Sequence, residues 1–479
     1  MYSSSLALLL LACSEYDLSG YKNEPSAEDT SKPMETGSSI PDLEETNLGT
    51  NFMAVTTANP LLPQSFWTDF AIVVTNPDED QDANVTVKLG ERTVYEVVVH
   101  PDEAVSIPLR MLSELVGGMT TNILLENGAY EVESDIPIAA YQFSPLHYRS
   151  EAAEFSYTND ASVLIPEHVM GTEYMVGAWP TFANSYPGFA AITATEDGTE
   201  VTIHSRTSTA PGVIAALNRG DEATVTLNRG DVFELFGSTS ASSDLTGTKI
   251  TSTAPIAVFG GHVCTNVPLA NASCDHLEEM MQPTSTWGNE FVMTAVLHPD
   301  SGRRASAVYR VVALKDGTSV EFKPGVAGNT TLNAGDVMEF TSGDDFVVNA
   351  DQPISVYQYM QSCTAIGTSN TTANGDPSMG SGIPHEQARP SYVFLVPDTY
   401  ETNWVNVVAN VGSNVKLDGS RVTLDYEIAG TGYQTGRVAV DAGSHRIESD
   451  DGSNITVTVY GYADYTSYLY PGGMNVKQQ

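Results

Sequence analysis

The sequence predicts an all-β protein of about four tandem units, and three observations support this class. From residue 51 onward, short runs alternate β-branched with polar residues, as in 85–87 (VTV) and 455–459 (ITVTV), and this period of two is typical of strands. Gly, Asn, Asp and Pro break the runs as tight turns require. A helical spacing of apolar residues is found only near 109–115. We therefore expect β-sandwich-like units that pack on one another, with a propeller-like closed arrangement as the alternative.

The first twelve residues form an apolar run, rich in Leu and Ala, that ends at Cys13. Such a run is typical of a lipoprotein signal peptide, which is cleaved so that the cysteine carries the lipid. We therefore assign 1–12 as the signal peptide and Cys13 as the lipidation site. An ordinary secretory signal or a chance apolar start is the alternative. No Lys or Arg precedes the run, which departs from the basic segment at the start of most signal peptides. No later run approaches eighteen consecutive apolar residues, so the lipid is the expected membrane attachment.

The segment after the signal peptide is acidic, and the charge of the whole chain limits the classes of partner that it can bind. Residues 13–50 are rich in Glu, Asp, Ser, Thr and Pro, which predicts a disordered acidic tether. The whole chain has 21 basic and 60 acidic residues, a formal net charge of −39. Nucleic acids and anionic membranes attract Lys and Arg, so neither is an expected partner. Weak surface binding of Ca²⁺ is compatible with this charge, and no cofactor is expected.

Three short segments recur in the same order, which indicates an internal duplication. The pairs are EDGTEV at 196–201 and KDGTSV at 315–320, TLNRGDV at 226–232 and TLNAGDV at 331–337, and APIAVF at 254–259 and QPISVY at 352–357. Fainter copies lie near 136–141 and 441–444. We therefore expect four β units with the bounds 51–150, 151–285, 286–388 and 389–479.

One segment of the second unit concentrates reactive side chains, since His262, Cys264, Cys274, Asp275 and His276 lie within fifteen residues. Imidazole and thiolate are zinc ligands, but structural zinc motifs place two cysteines two to four residues apart, and here nine residues separate them. With one cysteine lipidated, three remain, and the exported compartment oxidises close pairs. We therefore expect a Cys264–Cys274 disulfide and no metal, with a zinc site as the alternative.

The same segment resembles a known family. The motifs that carry the resemblance are DLTGT (244–248), APIAVF (254–259), GHVC (261–264), NVP (266–268), CDHL (274–277) and WG (287–288), with a weaker match at GDPSM (375–379). They are similar to the N-terminal domain of the IgGFc-binding protein family, which is found in animal mucus proteins and bacterial surface proteins. The resemblance implies contact with protein or glycan at a cell surface. The candidate ligand contacts are His262, Asp275, His276 and Trp287. For His262 and His276, which flank the cross-linked loop, we expect first a structural role through hydrogen bonds to its backbone, and a pH-sensitive or ligand-contacting role is the alternative.

No catalytic motif accompanies these residues. Glu278 and Glu279 form a charge run, which is typical of a solvated face, and nothing shows that two carboxylates converge. HEQAR at 385–389 begins like a zinc-protease helix but lacks the second histidine. The acidic loop PDEDQD at 77–82 lacks the glycine and the final glutamate of an EF-hand. Five tyrosines between 460 and 470 indicate a core strand or, alternatively, a binding stripe.

We therefore expect a non-enzymatic binding or adhesion lipoprotein that contacts an extracellular protein or glycan. A lipid on Cys13 would place it at a bacterial outer membrane or cell surface, and a secreted or periplasmic protein is the alternative. A structural component of the envelope or a surface layer, without a soluble ligand, is the alternative function, because stacked acidic units suit it equally well.

Overall fold

Strands make up nearly all of the regular structure, as the alternating sequence predicts. The computed structural model describes residues 46–150, 154–368 and 375–477, and within these ranges it has 32 strands and two one-turn helices, α1 (Ser113–Val116) and α2 (Cys363–Ile366). The all-β prediction is confirmed. Cys13, the signal segment and the tether up to residue 45 lie outside the described residues. None of the described helices has the length and apolar character that a membrane span requires.

The strands form four consecutive groups. The first is β1 (Gly49–Val55), β2 (Phe70–Thr75), β3 (Ala83–Leu89), β4 (Arg92–Val99), β5 (Ala104–Leu109), β6 (Ile123–Leu125), β7 (Ala129–Phe143) and β8 (Ala161–Leu164). The second is β9 (Glu173–Met175), β10 (Gly188–Ala194), β11 (Thr199–His204), β12 (Glu222–Leu227), β13 (Val232–Phe236), β14 (Lys249–Ser252), β15 (Ile256–Thr265) and β16 (Asp275–Met280).

The other two groups occupy the second half of the chain. The third is β17 (Gly288–Met293), β18 (Ala307–Ala313), β19 (Thr318–Lys323), β20 (Thr330–Leu332), β21 (Val337–Ser342), β22 (Phe346–Tyr359) and β23 (Met379–Ser381). The fourth is β24 (Ser391–Val396), β25 (Thr402–Asn410), β26 (Val415–Leu417), β27 (Ser420–Arg421), β28 (Tyr426–Ile428), β29 (Tyr433–Ala439), β30 (Gly443–Ser449), β31 (Thr456–Ala463) and β32 (Thr466–Pro471). Single turns of 3-10 helix lie at Gln64–Phe66, Glu167–Val169, Thr284–Thr286 and His385–Gln387.

The same antiparallel connectivity recurs from group to group. The first half of the long strand β7 pairs with β3 and β1, and its second half pairs with β2 and β8. Strand β22 pairs in the same way, first with β19 and β17 and then with β18 and β23. In the second and fourth groups, two shorter strands replace the long one: β14 and β15, and β30 and β31. In the first and third groups, one long strand therefore joins the two sets of strands, and in the second and fourth groups a short connection links two separate sheets.

A proline marks the point where the chain passes from one sheet to the other. Pro137 lies between the two pairing regions of β7, Pro353 lies between those of β22, and Pro255 immediately precedes β15. Proline has no amide hydrogen to donate to a ladder, so it fits where neither sheet needs a donor. The fourth group has no such proline, and residues 450–455 make the passage from β30 to β31.

The last strand of each group lies at the centre of the molecule. β8 contacts β16, β16 contacts β23, β23 contacts β32, and β32 contacts β8. These four strands therefore close on themselves, and we call them the central ring. All described residues belong to one compact unit. The sheets pack on one another as predicted, in the closed arrangement that the sequence left as the alternative.

Tyrosines of the fourth group fill the core that this group shares with the first. The rings of Tyr141 and Tyr470 have centroids 5.1 Å apart, and the Tyr141 hydroxyl donates a hydrogen bond to the Gly472 carbonyl (2.6 Å). Of the five tyrosines between 460 and 470, only Tyr465 is exposed, so the core interpretation holds for the others. The buried members are Tyr460, Tyr462, Tyr468 and Tyr470.

Candidate functional site

The strands of the central ring all begin at the same end of the molecule. The Thr466 hydroxyl, at the start of β32, donates to Asp275 Oδ2 at the start of β16 (2.9 Å), and it accepts from the Asn159 amide, just before β8 (3.3 Å). The Ser378 hydroxyl, just before β23, donates to Asp160 Oδ1, just before β8 (2.6 Å). The four connections that enter the ring therefore emerge on one face, which we call the loop face. Their described residues are 144–150 and 154–160 in the first, 266–274 in the second, 360–368 and 375–378 in the third, and 464–465 in the fourth.

Asp160 links three of the four ring strands at the base of the loop face. Its Oδ2 accepts hydrogen bonds from the backbone amides of Glu278 and Met379, both at 3.0 Å, and its Oδ1 accepts from Ser378. The side chain is fully buried. Burial raises the pKa of Asp160 well above its usual range, although the hydrogen bonds from Ser378, Met379 and Glu278 oppose this shift. This carboxyl is thus a shared acceptor that holds β8, β16 and β23 in register.

Glu278 and Glu279 are also fully buried, so the interpretation of this charge run as a solvated face is wrong. The reason is the position of β16, which pairs with β15 and lies between β8 and β23, so all six of its residues are covered. The Gln142 side-chain amide donates to Glu278 Oε1, and the Ser381 hydroxyl donates to Glu279 Oε1, both at 2.9 Å. These acids are structural acceptors inside the ring.

Burial raises the pKa of several of these acids because no cation compensates their charge. For Asp275, repulsion from Asp376 adds to the burial effect, and burial raises the pKa of Asp376 to about 8. Burial, followed by repulsion from Asp160, raises the pKa of Glu279. Within the described ranges, no Lys or Arg forms an ion pair with any of these carboxyls. No group of His, Cys, Asp and Glu side chains in the same ranges is arranged to hold a metal ion.

The Cys264–Cys274 disulfide is present, with Cα atoms 5.3 Å apart, and it closes the second connection of the loop face. This connection packs against the third one through Ser362. The Ser362 hydroxyl accepts from the Val267 amide (3.1 Å) and donates to the Ser273 carbonyl (2.8 Å). The two connections therefore brace each other, and a covalent bond limits the movement of one of them.

An aromatic cluster lies where the first and fourth connections meet. Tyr157 is 42% exposed and Tyr465 is 37% exposed, and their ring centroids are 6.1 Å apart with the planes 83° to each other. Tyr157 also contacts Phe155 (6.3 Å) and Tyr148 (6.4 Å). The guanidinium of Arg149 lies over the Phe155 ring, 5.4 Å from its centroid. We call Tyr148, Phe155, Tyr157 and Tyr465 the aromatic cluster; it is the largest exposed aromatic feature of the loop face that the structure describes.

The four candidate ligand contacts lie in the interior. His262, Asp275 and His276 are 0% exposed, and Trp287 is 1% exposed. The Cys264 amide donates to His262 Nδ1 (3.1 Å), and burial lowers the pKa of His262 to about 3, so this ring is neutral. The structure brings His262, Asp275 and His276 together around β15 and β16, while Trp287 lies after the next turn. His262, Asp275 and His276 lie beneath the loop face next to the disulfide loop, whereas Trp287 lies beyond the other end of β16.

The other sequence candidates occupy separate places. In the exposed acidic loop, Asp78 Oδ1 accepts from the amides of Asp80 and Gln81 (both 2.8 Å), so the loop is organised by its own backbone. His385 begins a single 3-10 turn and not a helix. Cys363 remains a buried thiol.

Sequence reasoning missed the aromatic cluster and the buried acids Asp160 and Asp376. A signal for the acids exists, because an aspartate opens or closely precedes every strand of the central ring. These residues are Asp160, Asp275, Asp376 and Asp464. An alignment of the four repeats on their last strands would reveal this recurrence. The cluster has no comparable signal, since its members come from two connections that are far apart in the chain.

Comparison with solved structures finds chains of low similarity. An anti-sigma factor domain-containing protein from Clostridium clariflavum matches 83% of this chain and 99% of its own, with 8% identity and a TM-score of 0.13. A second anti-sigma factor domain-containing protein covers 82% of this chain and 99% of its own, with 8% identity and a TM-score of 0.14. Such scores support no inference about the fold.

Comparison at the level of sequence identifies the family. The human IgGFc-binding protein is 28% identical over 257 residues, which are 52% of this chain and 4% of that protein. This chain therefore spans only a small part of the length of that relative. The family model described as "IgGFc binding protein" matches residues 160–461, more than half of the chain, including the disulfide loop and the strands β16 and β23 of the central ring. The chain belongs to the IgGFc-binding protein family.

Proposed function

We propose that the chain is a non-enzymatic extracellular binding protein that contacts a protein partner through the loop face. The aromatic cluster is the observation that carries the proposal, because Tyr157 and Tyr465 are exposed on connections that a buried ring of strands holds in place. Tyrosine is enriched at the energetic centres of protein interfaces, since its ring covers a large area with few rotatable bonds. Loops on a rigid scaffold are common binding elements.

Family membership adds a first ligand to test. The human relative is named for the binding of IgG Fc, so IgG Fc is the first candidate partner for this chain. The disulfide and the net charge of −39 are compatible with an extracellular setting. A glycan on the partner is the alternative ligand for the same face.

The test compares binding before and after loss of the two exposed rings. IgG Fc and a fractionated extracellular fluid are passed over the immobilised chain, and over a Tyr157→Ser/Tyr465→Ser variant. We expect the variant to bind the captured protein at least about 10-fold more weakly, because interface anchors contribute about 1–2 kcal/mol each.

The matched control is Val411→Ser, at a position that is 49% exposed between β25 and β26 and outside the loop face. If both variants lose binding equally, or if the tyrosine variant loses none, the loop face is not the binding surface. Ordered self-association of the chain without any captured ligand would favour a structural component of the envelope.

We also propose that Cys13 carries a lipid that attaches the chain to the cell surface. The apolar run before this cysteine supports the assignment, and the residue lies outside the described structure. Intact mass spectrometry of the native protein should show cleavage before Cys13 and the added mass of acyl chains. A Cys13→Ser variant should lose that mass and leave the membrane fraction, and an unmodified native N-terminus would refute the anchor.

A further inference from the structure

Two acidic side chains border the aromatic cluster. Burial, and then the negative charges of Asp464 and Glu401, raise the pKa of Tyr148. Burial and then Asp464 likewise raise the pKa of Tyr157. The hydrogen bonds of the chain place both acidic residues at the cluster. The Glu401 amide donates to the Tyr462 carbonyl (3.0 Å), and the Tyr148 amide donates to the Thr399 hydroxyl (2.9 Å), two residues before Glu401. Asp464 directly precedes Tyr465 in the turn between β31 and β32, and Glu401 is exposed just before β25.

These two carboxylates have no counter-ion in the described parts of the chain. No Lys, Arg or His forms an ion pair with Asp464 or Glu401 there, and Asp464 is half-buried beside aromatic rings. A carboxylate that is partly removed from water without a partner cation is electrostatically unsatisfied. A cation brought by a ligand would therefore be stabilised at this position more than at a fully hydrated acidic residue.

The cluster already binds one cationic group of its own chain. The Arg149 guanidinium lies over the face of Phe155 at 5.4 Å, within the distance at which a cation is attracted to an aromatic ring. The rings of Tyr157 and Tyr465 are nearly perpendicular, at 83°, so they form a corner rather than one flat platform. A corner with an adjacent carboxylate suits a compact or planar cation better than the flat face of a sugar ring.

We propose that the corner formed by Tyr157, Tyr465 and Asp464 receives a Lys or Arg side chain from a basic segment of a protein partner. This inference rests on the proposed function and names the chemistry of the partner. The net charge of −39 attracts basic segments over a long range, and the cluster then selects the cation at short range. Glu401 provides a second carboxylate beside the same rings.

The test is calorimetric titration of the full chain with a short oligo-arginine peptide at physiological ionic strength. Tyr157→Leu keeps the charge and removes a ring, and we expect about 2- to 5-fold weaker binding from the lost cation–π contact. Asp464→Asn should weaken binding by a similar factor, and the double variant by about 10-fold. The matched control is Glu196→Gln, which removes one exposed negative charge from the turn between β10 and β11 and should leave the affinity unchanged.

The outcomes separate this inference from the proposed function. Equal weakening by Glu196→Gln and Asp464→Asn would show that only the diffuse charge of the chain attracts the peptide, and would overturn the proposed corner. If the captured protein partner is lost in Tyr157→Leu but unaffected by Asp464→Asn, the loop face binds its partner without a cation, and only the present inference fails. A neutral oligosaccharide that competes with the captured partner and needs the tyrosines but not Asp464 would assign the cluster to a glycan. Circular dichroism verifies that each variant is folded.

Discussion

Replacement of Asp160 by asparagine, a side chain of nearly the same shape, is expected to destabilise the protein strongly. Both of its oxygens accept hydrogen bonds, from the backbone amides of Ala161, Glu278 and Met379 and from the Ser378 hydroxyl. In Asp160→Asn, the NH₂ group replaces one oxygen and faces donors that then lack an acceptor. Each buried donor left unpaired costs about 1–3 kcal/mol. We therefore expect urea denaturation to show a loss of about 2–5 kcal/mol in the free energy of unfolding, from one or two unpaired donors.

The control for this substitution is Asp425→Asn, at an exposed position directly before β28. It makes the same substitution at the surface and should change the free energy of unfolding by less than about 0.5 kcal/mol. An Asp160→Asn protein as stable as the control would show that water or rotation of the amide satisfies the donors, and that Asp160 does not hold the ring strands together.

The buried acids make the stability of the protein depend on pH in a defined direction. A carboxyl with a raised pKa keeps a proton in the folded state that the unfolded chain has released above about pH 4. The free energy of unfolding then decreases as the pH rises toward the folded pKa, by at most about 1.4 kcal/mol per pH unit and group. The carboxyls with this direction of shift include Glu234, Asp275, Glu279 and Asp376.

We therefore expect a lower melting temperature at pH 8 than at pH 6.5. The lowered pKa of His262, at about 3, has the opposite effect, but only below pH 6.5, where the unfolded histidine becomes charged. The hydrogen bond with Asp69 raises the pKa of His147, so this pair, like the carboxyls, makes the free energy of unfolding decrease as the pH rises. Scanning calorimetry across the window should show the decrease, and a flat or rising profile would contradict it.

Asp376→Asn isolates the contribution of one carboxyl. Burial raises its pKa to about 8, at the upper end of this window, and an asparagine mimics the protonated acid. Its carbonyl can still accept from the Cys363 amide, as Asp376 Oδ1 does at 3.2 Å. The variant should match the native stability at pH 6.5 and lose less of it by pH 8. If the variant loses as much stability between pH 6.5 and pH 8 as the native protein, Asp376 is not protonated in the folded state.

Burial at single positions was the least predictable property of the chain. Glu278 and Glu279 lie in the sequence HLEEMM, which gives no local sign of whether a carboxylate faces water. Their burial depends on contacts of β16 with β8 and β23, strands that are about 100 residues away on either side. By contrast, the Cys264–Cys274 pairing could be predicted, because a short loop between two cysteines limits the choice of partner.

At the scale of single elements, the disulfide loop has a testable energetic role. The bond joins cysteines ten residues apart, and the loop packs on α2 through Ser362. A cross-link over such a loop restricts the unfolded chain and stabilises the fold by about 3 kcal/mol in the chain-entropy model. Cys264→Ser/Cys274→Ser should therefore lower the free energy of unfolding by about 2–3 kcal/mol in non-reducing denaturation.

The control is the same measurement after reduction. A reducing agent should destabilise the native protein and leave the double variant unchanged, because the remaining described cysteine, Cys363, is an unpaired buried thiol. If the variant and the oxidised native protein unfold at the same denaturant concentration, the contacts with α2 and not the covalent bond fix the loop.

The elements themselves followed from local signals to a large extent. Alternating β-branched residues gave strands, and the prolines at 137, 255 and 353 lie where the chain leaves one sheet for the next. These signals act within a few residues, so they are visible in one sequence. The fourth group lacks the proline, which explains why its resemblance to the others was faint. Its edge strand β28 pairs with β29 as β6 pairs with β13.

At the scale of the whole molecule, the sequence did not determine whether the four groups form a row or close into a ring. The contacts that close it join residues far apart, such as the Asn159 amide and the Thr466 hydroxyl, which are separated by 307 positions. Period and turn signals report how each group folds but not how the groups are arranged. The choice between a row of units and a ring is made by the buried polar contacts between their last strands.

Closure of the ring implies that a single unit does not fold by itself. The third unit as predicted, 286–388, includes β23, whose neighbours β16 and β32 belong to other groups. The Tyr359 hydroxyl donates to the Ala178 carbonyl (2.9 Å), and Arg310 forms an ion pair with Asp244 (2.9 Å). Arg310 also lies over the Trp179 ring, 4.1 Å from its centroid. Excision would leave Arg310 with its ion pair to Glu339 (2.7 Å) but would remove Asp244, Trp179 and the Ala178 carbonyl, and it would expose apolar side chains to water.

We therefore expect the isolated fragment 286–388 to show no cooperative thermal transition and no near-ultraviolet circular dichroism, whereas residues 46–479 unfold cooperatively. A fragment containing the second and third groups, 166–388, is the informative comparison, because it restores the Arg310 and Tyr359 contacts but leaves the ring open. It should gain near-ultraviolet signal and remain less stable than the closed chain. Cooperative unfolding of 286–388 alone would show that each unit is an autonomous domain and that the ring strands only dock after folding. The proposed binding site depends on the closed ring in the same way. Its tyrosines Tyr157 and Tyr465 lie on the first and fourth connections, and closure of the ring brings these connections together.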